Sequence, residues 1–322
     1  MRDALPNPAA RLMFSHVVRR TQVFIGALFA VFALRVASAQ GGAPTQPTVL
    51  FLSDFGTKDG AVAVCKGVMW NIEPTLRIVD LTHEIPAYDI ETAAEVLEQA
   101  IPFYPPGTVT VAVVDPGVGS ERKAVALLTK KGHLLVGPDN GIFTLVLETE
   151  GLDRAVELRD RRYFRQTTQS FTFHGRDIFS PVAAHLAAGI PIDSLGPPVI
   201  PMRLDLHAAQ RRDGTILGIV RYIEDPYGNV VTNIPAALLD SVAQVGDSLE
   251  AQIGRRRFLL PWRSTFSNVP RGKPLAVIHS RGLLSFSINQ GNFAATYRVT
   301  RKDSVAVRRR VPGAVRARAR SG

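Results

Sequence analysis

The sequence predicts an α/β protein: an N-terminal mostly parallel α/β sheet domain followed by a smaller antiparallel β-barrel-like C-terminal domain. Three observations carry that reading. From Val49 to Ala188, short apolar runs rich in β-branched residues alternate with stretches whose apolar residues recur at helical spacing. From Ile216 to Val299, short apolar runs follow one another with turn residues and no long helix between them. Pro197 to Pro201 separates the two patterns, and 322 residues suit two domains.

Taken in order, Val49–Leu52 reads as a first buried strand ending at Ser53-Asp-Phe-Gly56. Asp59 to Ile72 keeps a helical stripe of Ala61, Val62, Val64, Cys65, Val68 and Met69. Leu76–Asp80 is a second strand, Ile90–Ala100 a second helix, and Thr108–Val114 a third strand. That strand stops at Asp115-Pro-Gly-Val-Gly119, where Pro removes a backbone donor and Gly permits unusual dihedrals. Ala124–Thr129 and Leu134–Val136 form a hairpin around Lys130-Lys-Gly132, and helices follow at 142–148 and 181–188. Beyond 212, strands are expected at 216–223, 230–231, 248–253, 256–260, 275–279, 284–288 and 295–299. The chain thus divides into a signal peptide (1–39), a linker (40–47), the α/β domain (48–196), a second linker (197–212), the β domain (213–302) and a disordered basic tail (303–322).

The net charge of +10 resides at the two ends. Residues 1–39 carry five Arg and one Asp, and residues 308–322 carry six Arg and no acid, which leaves the body neutral. A neutral body argues against nucleic-acid binding by the folded part. Arg19-Arg20, the apolar run Val23–Leu34 and Ala37-Ser-Ala39 have the layout of an export signal with a cleavage site. The apolar run is short for a membrane span, so the expectation is an exported, periplasmic or secreted protein with no stable span after cleavage. Cys65, the only cysteine, allows no intramolecular disulfide.

Asp54, Asp80, Asp115 and Asp139 fall at or just after predicted strand ends. In a parallel sheet those ends share one edge, where ligands bind. His174, in Thr172-Phe-His-Gly-Arg-Asp177, is the one histidine inside a dense motif, and His83 in Leu81-Thr-His-Glu84 competes with it. Arg122 can fold back toward Asp115. From the residues alone, a phosphoesterase that holds a metal through Asp54, Asp115, Asp139 and His174 stays open, although no metal-ligating spacing of the HExxH type is present.

Seven ordered motifs resemble the S-adenosylmethionine hydrolases, also called S-adenosyl-L-methionine hydroxide adenosyltransferases, relatives of fluorinase and chlorinase. They are Ser53-Asp-Phe-Gly56, Asp80-Leu-Thr-His-Glu-Ile-Pro86, Val114-Asp-Pro-Gly-Val-Gly119, Pro138-Asp-Asn-Gly141, Thr172-Phe-His-Gly-Arg-Asp177, Asp225-Pro-Tyr-Gly-Asn229 with Thr232-Asn-Ile234, and His279-Ser-Arg-Gly282 with Asn289-Gln-Gly-Asn292. The resemblance implies an Asp115–Arg122–His174 catalytic triad and hydrolysis of S-adenosyl-L-methionine at C5′ to adenosine and L-methionine. No metal or cofactor is implied. The halogenating relatives carry Tyr where this chain has Asp115 and His174, which points to water as nucleophile.

The same resemblance implies that Asp54 holds the ribose hydroxyls, with Tyr88 over the sugar and Phe173 walling the site. Asp225, Tyr227 and Asn229 would hold the methionine part; Ser280, Arg281, Asn292 and Ala294 would hold the adenine. It further implies a homotrimer with sites between subunits. Tyr227 stands where the family usually has Phe, and Phe293 interrupts its Gly-Asn-Ala run. The export signal leaves a second class open, an exported non-catalytic protein that binds adenosine.

Overall fold

The computed structural model describes residues 46–167 and 170–310. The expected signal peptide, residues 40–45 of the first linker and residues 311–322 of the basic tail lie outside them. The chain forms two compact units, divided between Met202 and Arg203.

In the first unit, β1 (Thr48–Ser53), β2 (Arg77–Thr82), β3 (Val109–Val113), β4 (Ala124–Thr129), β5 (Leu134–Pro138) and β6 (Leu152–Glu157) form one sheet in the order β2-β1-β3-β5-β4-β6. β2, β1, β3 and β5 pair in parallel, and β4 runs against both of its neighbours. Helices α1 (Ala61–Ile72), α2 (Ile90–Ala100), α3 (Thr144–Glu150) and α4 (Ser180–Ala187) complete the unit.

The strands sort their side chains by alternation. Val49 and Phe51 of β1 join Met69 of α1 and Val182 of α4 in one core, while Leu50 and Leu52 join Leu97 of α2 and Val146 of α3 in another. Both sheet faces are therefore buried, which is why these strands are apolar throughout rather than alternating.

The second unit contains β7 (Gln210–Arg212), β8 (Thr215–Glu224), β9 (Asn229–Pro235), α5 (Ala236–Asp240), β10 (Ser248–Ile253), β11 (Arg256–Pro261), β12 (Pro274–Ile278), β13 (Leu283–Ile288), α6 (Phe293–Tyr297) and β14 (Ser304–Arg309). Its sheet runs β11-β10-β14-β8-β9-β13-β12 with every pair antiparallel, and β7 pairs with β8. A bridge from Trp262 to Ala276 brings the two ends of the sheet together and nearly closes the barrel. Trp262, Phe286 and Phe293 fill its interior.

Four expectations change. Residues 295–299, expected as a strand, lie largely in α6, because the Asn292 side chain accepts from the Ala295 N–H at 2.7 Å and starts a helix there. Phe293 is buried against Phe286, so the residue that breaks the family run serves the core. The second linker contains β7 and the basic tail begins with β14, whose Val305 and Val307 are buried in the barrel while Arg308 pairs with Glu250 and Arg309 with Asp247. An arginine-rich composition hid that alternation. Asp80 lies within β2 rather than at its end, paired with Lys66 at 2.6 Å and His83 at 3.0 Å.

Candidate active site

β3 ends where the apolar run ends, and the chain turns at once. Val118 N–H bonds to the Asp115 carbonyl at 3.2 Å, and Ser120 closes on the Gly117 carbonyl through its amide at 3.0 Å and its hydroxyl at 2.7 Å. This tight turn folds Arg122 back on Asp115. Gly119 is in the left-handed region (φ 79°), and a Cβ there would lie 2.6 Å from the Phe171 carbonyl. The turn thus packs backbone to backbone against the segment that carries His174.

Arg122 grips Asp115 with two bonds, Nε to Oδ1 at 2.8 Å and Nη2 to Oδ2. The two side chains are only 10% and 6% exposed, so the pair is strong and fixed. Arg122 Nη2 also reaches His174 Nδ1 at 2.7 Å, 52 residues further on. A guanidinium can only donate, so Nδ1 accepts and the neutral ring carries its proton on Nε2. Burial, then the Arg122 charge, hold the His174 pKa below its ordinary 6.5. Phe179 underlies the cluster, 5.3 Å from the Arg122 guanidinium carbon and edge-on to His174.

His174 precedes a short π-helical turn, Gly175–Phe179, that leads into α4. Fully buried Asp177 anchors this turn by accepting from Arg176 Nε at 2.7 Å and Nη2 at 2.9 Å and from the Ser170 amide at 2.7 Å. Gly175 lets the Phe55 ring approach, since a Cβ would sit 2.9 Å from it, and Phe55 meets Phe173 edge to face at 5.7 Å. The turn after β1 and the His174 segment are thereby packed together. Asp54 Oδ2 accepts from the Tyr88 amide at 3.0 Å. Tyr88 itself holds φ at 69°, an uncommon state for a bulky residue, and the residue is 71% exposed.

Of the four strand-end carboxylates, Asp139 is buried and accepts from the Met202 amide at 2.7 Å, a structural cap. Asp80 is held by Lys66 and His83. Asp54 and Asp115 keep the site.

The second unit carries a cleft of about 770 Å³. Tyr227, Asn229, Ser280 and Asn292 line it; Asp225, Arg281 and Ala294 are not among its lining residues. Arg281 lies over the Tyr222 ring and donates to its hydroxyl at 3.1 Å. Sequence reasoning missed Glu224 and His279, which face each other at 3.3 Å in the cleft, with Glu224 also accepting from Asn229 Nδ2 at 2.7 Å. His279 stood inside a quoted motif, but only the pairing of β12, β13, β9 and β8 brings it near Glu224.

A mixed α/β unit with an Asp–Arg–His cluster beyond a strand's carboxyl end, followed by an antiparallel barrel unit with a polar cleft, defines a two-domain α/β-plus-barrel enzyme architecture. The chain belongs to the SAM hydroxide adenosyltransferase family, matching the model of its N-terminal domain over residues 49–196 and that of its C-terminal domain over residues 218–306. It is 41% identical over 253 residues to the (R)-S-adenosyl-L-methionine hydrolase of Thermus thermophilus, an alignment that covers 76% of this chain and 92% of that relative. It is 39% identical to the protein of the same name from Salinispora arenicola, covering 81% of this chain and 97% of the relative. An uncharacterized conserved protein from Thermotoga maritima has the same fold, with a TM-score of 0.77 and 36% identity over 81% of this chain and all of that one.

Proposed function

We propose that the protein hydrolyses S-adenosyl-L-methionine to adenosine and L-methionine, using water or hydroxide and no cofactor. The Asp115–Arg122–His174 cluster carries this reading, supported by about 40% identity to relatives named for that activity. The sulfonium already supplies a neutral thioether leaving group. The protein therefore needs to hold a water in line with the C5′–S bond and keep bulk solvent away. The water oxygen bonds to C5′, the C5′–S bond breaks with its electron pair on sulfur, and one proton leaves to solvent.

Arg122 supplies the fixed positive charge that favours hydroxide character on that water. Asp115 neutralises and orients Arg122. His174, with Nδ1 engaged by Arg122, presents its Nε2–H to the nucleophile, a geometry that supports orientation of the water rather than removal of its proton. Asp54 holds the ribose hydroxyls through Oδ1, which takes no protein hydrogen bond among the described residues, and Tyr88 and Phe173 wall the sugar. In the second unit Tyr227 and Asn229 of the cleft hold the methionine part and Ser280 and Asn292 the adenine; for Asp225, Arg281 and Ala294, which do not line the cleft, the support is the family resemblance alone.

The family resemblance further supports a homotrimer in which each site takes the first unit of one copy and the second unit of another. The N-terminal Arg19-Arg20, Val23–Leu34 and Ala37-Ser-Ala39 pattern supports export with cleavage after Ala39.

Product analysis after incubation with S-adenosyl-L-methionine tests the reaction, with chelator and with chloride as separate arms. Equimolar adenosine and methionine in every arm is the expected result. Adenosine bound without turnover would favour the binding-protein reading, and a chloro-nucleoside would favour halogenation.

A further inference from the structure

Ser53, His83 and Asp80 form a hydrogen-bonded chain of the residue types found in hydrolytic triads. Ser53 Oγ lies 2.7 Å from His83 Nδ1, and His83 Nε2 lies 3.0 Å from Asp80 Oδ1. Ser53 is fully buried, however, and cannot meet a substrate. The direction of each bond follows from its partners. The Asp80 carboxylate accepts, so Nε2 carries a proton, and in the neutral ring Nδ1 then accepts from the Ser53 hydroxyl. The hydroxyl oxygen is then free to accept, and the Phe55 amide donates to it at 3.3 Å. Lys66 fixes Asp80 at 2.6 Å, and Phe51 packs against the imidazole, ring centroids 4.7 Å apart.

This chain straps together the two segments that flank Asp54. The Gly56 amide donates to the His83 carbonyl at 2.7 Å, the Thr57 hydroxyl to Glu84 at 2.7 Å, and the Tyr88 amide to Asp54 itself at 3.0 Å. We infer that His83 is a positioning residue: acting through Ser53, it sets the Ser53–Gly56 turn so that the Asp54 carboxylate, held by the Tyr88 amide, faces the ribose hydroxyls of the substrate. The inference rests on the proposed reaction only in assigning Asp54 to the ribose.

The test uses the full chain, S-adenosyl-L-methionine and its 2′,3′-dideoxy analogue. Ser53→Ala removes one oxygen atom. His83→Gln keeps a polar group near the Nε2 position, and His83→Asn keeps one near the Nδ1 position that Ser53 needs. Ser53→Ala and His83→Gln should raise KM for S-adenosyl-L-methionine about tenfold, with kcat altered far less. On the dideoxy analogue both variants should match the wild type, and His83→Asn should recover most of the affinity on the natural sugar. In an Asp54→Asn background, Ser53→Ala should cost nothing further.

Equal losses on both substrates, or additive losses with Asp54→Asn, would overturn the inference and leave only a packing role. Amide exchange at Phe55 and Tyr88 reads the strap without turnover. It should accelerate in Ser53→Ala and His83→Gln and recover in His83→Asn; unchanged exchange would also overturn the inference. A wild-type protein that releases no adenosine overturns the proposed reaction instead, while the exchange data still decide the strap.

Discussion

Arg122 Nη2 stands 2.7 Å from His174 Nδ1 while the same guanidinium holds Asp115 through two bonds. One cation therefore sets both the tautomer of the histidine and the orientation of the carboxylate.

Loss of that cation should be severe. Arg122→Ala should lower kcat about 10²–10³-fold, the scale of removing one preorganised charge donor. It should also destabilise the fold by about 3–5 kcal/mol, because Asp115 is left buried without its partner. Arg122→Lys should rescue little, since an ammonium cannot make the fork to Asp115 and reach His174 together. Adenosine release and thermal melts measure the two effects, and an Arg122→Ala enzyme of unchanged rate would refute the role.

The pH profile follows from His174. Its folded pKa lies below 6.5, so the ring is neutral at pH 7 and stays so somewhat below the ordinary value. Between the folded and unfolded pKa values the unfolded chain binds the extra proton, so this group's contribution to stability is full above about 6.5 and lost as pH falls toward the folded value. Activity should hold across neutrality and fall on an acid limb placed below 6.5. His174→Asn, which keeps an acceptor for Arg122 and cannot titrate, should remove that limb from whatever rate remains.

Gly119→Ala should act through the backbone alone. At φ 79° and 2.6 Å from the Phe171 carbonyl, a Cβ forces the turn away from the His174 segment. The expected cost is about 1–3 kcal/mol, read as a lower Tm, with a loss of kcat from the shifted Arg122. An unshifted Tm would show that the contact yields freely.

If each site is shared between copies, two impaired variants should restore one another. Arg122→Ala disables the first unit's part and Asn229→Ala weakens the second's. Mixed after dissociation and reassembly, the pair should regain a fraction of wild-type rate. Absence of recovery in a verified mixed oligomer would place each site within one chain, and a sedimentation mass of one chain would dismiss the trimer.

Truncation separates tail from barrel. Ending the chain after Arg310 keeps β14, whereas ending it after Lys302 removes β14, with buried Val305 and Val307, from between β10 and β8. That second truncation should leave the C-terminal unit unfolded by circular dichroism.

Much of this was legible in the residues. The doubly buried strands of the first unit announce themselves as continuous apolar runs, and Asp115-Pro-Gly marks where β3 stops. Harder to read were short elements set by tertiary context. Ala295-Thr-Tyr-Arg-Val299 alternates well enough for a strand until Asn292 caps the helical turn it enters. Val305 and Val307 alternate like a strand but lie before three arginines, and only the neighbouring strands give them a core to enter. Asp80 and Asp139 looked like Asp54 and Asp115, because a sequence shows which carboxylates follow apolar runs and not which ones already have partners.

The chain by itself determined the two-part architecture and the order of the motifs, since periodicity and residue chemistry are local properties; it was the resemblance of those motifs to a known family that singled out Asp115, Arg122 and His174. The tertiary structure decided which groups meet. It closed the 52-residue gap between Arg122 and His174, removed two carboxylates from the site, and turned a Ser–His–Asp set into a buried strap. Hydrogen bonds reach about 3 Å, and only packing of the elements brings residues so far apart in sequence within that range.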